Sequence, residues 1–171
     1  DRDTAQAIAD AAADGEVCTV ANDNDPSQVV ISGTKAAIER AIPMAKEMGA
    51  RRAILLPVSA PFHCPLMQPA ADAMAAALDG VTLHAPLIPV FANVTAAPAS
   101  DPEVIKALLV EQVTGMVRWR ESVIAMFAAG VHDFVELGGK VVAPMVKRSA
   151  PDATTTSVVT MDDIEALLKI L

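Results

Sequence analysis

Apolar residues along this chain recur at two spacings, and the switches between them mark out the elements. Helical spacing runs from Thr4 to Ala13, with Asp3 as the expected cap and Gly15 as the stop. VCTVA (Val17 to Ala21) and QVVIS (Gln28 to Ser32) read as strands, parted by the turn-rich NDNDPS (Asn22 to Ser27). Thr34 caps a second helix whose apolar positions Ala37, Ile38, Ala41, Ile42, Ala45 and Met48 share one face. Pro43 falls inside it and predicts a kink, because it deletes one backbone hydrogen bond. Gly49 closes the helix, and RRAILLPV (Arg51 to Val58) reads as a third strand. Helix, strand, strand, helix, strand is the order of a ferredoxin-like unit missing its first strand, expected over residues 1–57.

The second stretch, residues 58–171, predicts a helix from Leu66 to Leu78 and short strands at Val81 to Leu83 and Leu87 to Ala92. Asp101 followed by Pro102 opens a helix to Gln112 in the favoured cap-then-proline order. A helix over Arg120 to Ala129, a strand over Val131 to Leu137, a helix from Lys140 to Ser149, a strand over Thr155 to Val159 and a last helix from Asp162 complete the pattern. Alternation of strand and helix predicts an α/β class, with a parallel sheet covered by helices on both faces.

Composition narrows the functional range. The 171 residues are 53% apolar but only 3% aromatic, with no Tyr, so the core is aliphatic and alanine-rich. A formal charge of −8 argues against nucleic acid as a partner, since phosphate binding relies on concentrated Lys and Arg. No apolar run approaches the roughly 20 residues that span a bilayer, so no membrane partner is expected. Two cysteines, Cys18 and Cys64, suit buried thiols in a cytoplasmic protein better than a disulfide framework. The chain opens on Asp1 within a helical pattern, and we expect it to be part of a longer polypeptide.

Chemistry concentrates at His63, in VSAPFHCPLM (Val58 to Met67), on a loop leaving a strand-like run. Imidazole titrates near neutrality, so His63 suits a general base that deprotonates a hydroxyl or thiol and later protonates a leaving group. A histidine that merely satisfies a local hydrogen bond explains the pattern equally well. Cys64 is adjacent, and neighbouring side chains rarely present base and nucleophile to one another in line; it reads as a small buried hydrophobe. No G-x-S-x-G nucleophile elbow is present: VISGT around Ser32 lacks the leading glycine. His84 and His132 lack metal-ligand spacing, and no metal site is expected.

Five stretches in order carry a resemblance: NDNDPSQVVISG (Asn22 to Gly33), RRAILLPVSAPFHCPLMQPA (Arg51 to Ala70), APLIPVFANVTA (Ala85 to Ala96), LLVEQVTGMVRWRESV (Leu108 to Val123) and VELGGKVVAPMVKR (Val135 to Arg148). Together they resemble the carboxyl-terminal half of malonyl-CoA:acyl-carrier-protein transacylases. The resemblance implies a hydrolase-like α/β domain with a ferredoxin-like insertion, and ping-pong transfer of a malonyl group from malonyl-CoA to the phosphopantetheine thiol of acyl-carrier protein in fatty-acid biosynthesis. It implies no resident cofactor, CoA and phosphopantetheine thioesters being substrates.

Residue by residue, His63 matches the family's catalytic histidine, and Gln112 the glutamine whose backbone carbonyl orients it. Asn93 and Asn22 match asparagines near the pocket, although turn chemistry explains both. Phe62 falls where related polyketide acyltransferases choosing malonyl carry Phe, which implies a malonyl preference. The sequence departs from the family at Gly138-Gly139-Lys140, where a proline usually separates two glycines. The nucleophilic serine, the carboxylate-binding arginine and an oxyanion-hole residue are expected upstream of Asp1, so the chain alone is expected to be inactive. Arg118, Arg120, Lys147 and Arg148 are candidates for a local positive patch facing an acidic carrier protein, with a solvated face as the plainer reading. Two rival readings stay open: a polyketide-synthase acyltransferase domain, and a non-catalytic binding module built on the ferredoxin-like unit.

Overall fold

The computed structural model describes residues 1–170. Helix α1 (Arg2–Ala13) starts at Asp1, whose side chain accepts from the Thr4 N–H, two positions before the expected cap Asp3. It ends through Asp14 and Gly15, both at positive φ. Strands β1 (Cys18–Asp25) and β2 (Gln28–Gly33) pair antiparallel as a hairpin. Helix α2 (Lys35–Glu47) begins at Thr34, whose hydroxyl accepts from the Ala37 N–H, and continues through Pro43. Ile8, Ala9, Ala12, Cys18, Ala37 and Ala41 form the core between the two helices and the hairpin. Arg40 ties the helices together, donating to the Ala12 and Ala13 carbonyls at the end of α1 and to Glu16.

The hairpin corrects the first expectation. Asn22 to Asp25 belong to β1, and the reversal is confined to Pro26 and Ser27. Asp25 accepts from both the N–H and the hydroxyl of Ser27 at 2.8 Å, so the turn is made by the aspartate that ends the strand. Register shifts between Val20 and Asn22 and between Asp23 and Asp25 bend β1, and Asp23 and Asp25 are buried.

Residues 51–58 correct the second. They form no strand; Ile54, Leu55, Leu56 and Val58 are exposed. An apolar β-branched run marks what can become a strand, but only another backbone supplies the ladder hydrogen bonds. For the same reason Val81 to Leu83 is irregular, and the run ending at Ala92 shortens to β3 (Val90–Ala92), which pairs with β4 (Ala97–Ala99).

Beyond the His63 loop, a single 3-10 turn at Pro65–Met67 leads into α3 (Gln68–Asp79). Helix α4 (Pro102–Glu111) is capped by Asp101, which accepts from the N–H groups of Glu103 and Val104. Helix α5 (Trp119–Ala128) follows, then β5 (Asp133–Leu137), α6 (Val142–Ser149), β6 (Thr154–Val158) and α7 (Met161–Leu168). β5 and β6 pair in parallel across α6, and Val123, Val146, Ala150 and Ala153 form the core beneath them. In place of one continuous parallel sheet, the described residues hold three two-stranded sheets, of which β5–β6 alone is parallel. Leu137 and Val135 of that pair stay exposed.

Backbone hydrogen bonds join the hairpin to the segment before α5. The Asp23 N–H donates to the Val117 carbonyl at 2.9 Å and the Val117 N–H to the Ala21 carbonyl at 2.8 Å, a short parallel bridge centred on Asn22 and Val117.

Candidate active site

The loop carrying His63 is bracketed by Pro61 and Pro65, which restrict the backbone on both sides. His63 itself sits in the left-handed region at φ 57°, a conformation that costs a non-glycine residue about 1–3 kcal/mol and gathers at functional sites. Cys64 returns to extended backbone, is fully buried, and its thiol donates to the Pro61 carbonyl at 3.1 Å. The two neighbouring side chains are thereby held by different partners, and the thiol is turned to its own loop.

The imidazole is held from one side. Its Nδ1 lies 2.9 Å from the Gln112 carbonyl oxygen and 3.2 Å from that of Gly115. Both oxygens can only accept, so in the neutral ring Nδ1 carries the proton and Nε2 is the bare, basic nitrogen. Gln112 is the C-terminal cap of α4, where the last carbonyls have no partner within the helix. The carbonyl at this helix end occupies the position on Nδ1 that a carboxylate occupies in a serine-protease triad.

The side chains of Gln112 and Asn93 form the next layer. Asn93 Nδ2 donates to Gln112 Oε1 at 3.0 Å, and the Asn93 carbonyl accepts from the Arg118 N–H at 3.1 Å. Both residues line a cleft of about 190 Å³ with Phe91, Ile105, Leu108 and Leu109. Phe62, adjacent to the histidine, is 46% exposed. Asn22 reaches the site through backbone, bridging Val117 two residues after Gly115.

The basic residues do not form a free positive patch. Arg118 pairs with Glu121, which Arg2 also reaches at 2.5 Å. Arg120 grips both oxygens of Asp23, at 2.8 and 3.0 Å, and Arg148 holds Asp25 at 2.8 Å. Lys147 donates to the Pro151 carbonyl. Sequence alone could not pair Arg120 and Arg148 with their carboxylates, which lie 97 and 123 residues away on the hairpin.

Burial disfavours the charged form of Asp25, but hydrogen bonds from Ser27 and Arg148 outweigh it and hold its carboxyl below the ordinary range. The bond to Asp23 raises Arg120 further above its already high value. Glu136, near the end of β5, accepts from the N–H groups of Val141, Val142 and Ala143 at the start of α6. Those bonds, the one from Val142 first, hold it below the usual carboxylate value.

Gly115, Asp23, Asp25 and Glu136 were not singled out by the sequence reading. One signal was there for the aspartates: Cys18, Val20, Asp23 and Asp25 are all buried, so an inward face continues through the supposed loop once a bulge is allowed for.

The ring thus presents a bare Nε2, with a helix end behind its protonated nitrogen, on an α/β fold. The chain belongs to the acyl transferase domain family, whose model matches residues 3–160. It is 44% identical over 147 residues to the malonyl CoA-acyl carrier protein transacylase of Escherichia coli (strain K12), covering 85% of this chain and 48% of that protein. With the Bacillus subtilis (strain 168) protein of the same name it shares 40% identity over 159 residues, 92% of this chain and 50% of the relative.

Among solved structures, an acyl-carrier-protein-S-malonyltransferase from Bartonella henselae matches with a TM-score of 0.95 at 47% identity, over 99% of this chain and 55% of that one. A type II PKS acyl-carrier protein in complex with its malonyl-transacylase matches at TM-score 0.96 and 35% identity, over 100% and 56% of the chains. The chain thus spans about half the length of the curated relatives it matches. No helix among the described residues is long and apolar enough to cross a membrane.

Proposed function

We propose that this chain is the histidine-bearing half of a malonyl-CoA:acyl-carrier-protein transacylase that works by a Ser–His ping-pong mechanism. His63 is the general base. It takes the proton of a seryl hydroxyl supplied by the part of the family fold outside this chain, and the serine attacks malonyl-CoA to form a malonyl ester. His63 then gives that proton to the departing CoA thiolate, takes another from the phosphopantetheine thiol as its sulfur attacks the malonyl ester, and hands it to the seryl oxygen released when the ester C–O bond breaks. The single observation that carries this reading is the pair of carbonyls on Nδ1, because it leaves Nε2 as the proton acceptor. Nothing in this chemistry needs a resident cofactor, the two thioesters being substrates.

Gln112 orients the ring through its backbone, Asn93 steadies Gln112, and Phe62 stands beside the acyl pocket and favours malonyl over its methylated homologue. The family match assigns Asn22 to the same site, and its bridge to Val117 supports that assignment. The order α1, β1–β2, α2 supports the ferredoxin-like reading of residues 1–57, and β5–α6–β6 supports a hydrolase-like reading of 58–171. Parallel sheets are buried on both faces, and the exposed Ile54, Leu55, Leu56, Val58 and Leu137 support a complete fold that covers them. Two buried free thiols, Cys18 and Cys64, support a reducing cytoplasmic setting. Supplying each carrier protein in turn distinguishes a fatty-acid from a polyketide acceptor.

The test is His63→Ala in a polypeptide spanning the whole family fold, assayed for malonyl transfer to carrier protein. The expected loss is about 10²–10⁴-fold. Unchanged transfer would overturn the assignment and favour a non-catalytic module.

A further inference from the structure

Asp23 and Asp25 are the two buried carboxylates of the hairpin, 1% and 0% exposed, yet they are anchored to different parts of the molecule. Asp25 is held by Arg148 of α6, whereas Asp23 is held by Arg120 in the first turn of α5. Asp23 also grips the same stretch through its backbone, since its N–H donates to the Val117 carbonyl. Between Glu111, the end of α4, and Trp119, the start of α5, no helix or strand intervenes. That connection carries both oxygens that hold the imidazole, on Gln112 and Gly115. Its far end is set by the Val117 bridge, by the Arg118 N–H on the Asn93 carbonyl, and by Arg120 on Asp23.

We propose that the buried Asp23–Arg120 ion pair is a positioning pair for the histidine, pinning residues 112–119 so that their carbonyls keep His63 in the Nδ1–H tautomer with Nε2 bare. The inference rests on the reading of His63 as the base. Neither member touches the ring; they act through the Val117 bridge and the Gly115 carbonyl. Asp23 and Arg120 are separated by 97 residues, and the pair spans the hairpin and α5. A bidentate, charge-assisted contact fixes direction as well as distance, which is what a segment lacking its own ladder requires.

The experiment follows the imidazole directly. A histidine-labelled polypeptide spanning the whole family fold is studied by ¹⁵N NMR, with His63→Gln identifying the His63 signals by their loss. Asp23→Asn and Arg120→Lys are each expected to speed exchange of the Nδ1 proton with water about tenfold, the equivalent of one charged hydrogen bond, and to raise the Nε2–H population. Asp25→Asn removes an equally buried carboxylate charge from the same hairpin and is expected to leave the tautomer as in the parent. An unperturbed ring in Asp23→Asn, or an equal perturbation in Asp25→Asn, overturns the proposal. Should Asp23→Asn fail to fold, Arg120→Lys, which keeps the charge, decides it by the same signal. Because the tautomer is read without turnover, this outcome is independent of the transfer assay on His63→Ala.

Discussion

Gln112→Ala separates what the Gln112 backbone does from what its side chain does. The hydrogen bond to His63 Nδ1 is made by the main-chain carbonyl at 2.9 Å, so truncating the side chain leaves that bond in place. What is lost is the bond from Asn93 Nδ2 to Gln112 Oε1 at 3.0 Å, a neutral, part-buried contact. Such a bond contributes about 0.5–1.5 kcal/mol net, and alanine at the end of α4 recovers a few tenths through helix propensity. The expected destabilisation is therefore about 1 kcal/mol. For a chain of 171 residues that corresponds to a fall in Tm of about 2–4 °C. Urea denaturation with linear extrapolation measures the first number and thermal melting the second. In the same variant the Nδ1–H resonance of His63 is expected to persist. Disappearance of that resonance, or a loss above about 3 kcal/mol, would show that the side chain and not the peptide carbonyl positions the ring, and the reasoning would fail.

Two further outcomes follow from named contacts. Phe62 is 46% exposed beside the histidine, so Phe62→Ser in a complete enzyme is expected to raise methylmalonyl transfer relative to malonyl by about tenfold, the low end of what one methyl is worth; an unchanged ratio in a competition assay refutes it. The Asp25 carboxyl is held below its ordinary value, so the folded chain binds fewer protons than the unfolded one as acid is added. Its stabilising contribution is fully present above the unfolded carboxylate value of about 3.9 and is lost as pH falls through the folded value. Asp25→Asn is expected to lower Tm at pH 7 and to flatten the acid limb below the unfolded carboxylate value of about 3.9, whereas a curve parallel to the parent's refutes the linkage.

Local chemistry was legible in the amino-acid order. Thr34, and Asp101 followed by Pro102, stand where the sequence placed helix starts, because a cap is a contact within four residues. The hairpin strands, the position of His63 and the ordered stretches that mark the acyl transferase family were equally readable. Contacts between distant segments were not. Only the folded chain brings the carbonyls of Gln112 and Gly115 to an imidazole 49 and 52 residues away, and pairs Asp23 with Arg120 across 97. It also decides that residues 51–58, apolar enough for a strand, remain without a ladder. A cap or a turn is satisfied by neighbours in the chain, whereas a strand, a buried ion pair and an oriented base exist only when a remote backbone or side chain arrives to complete them.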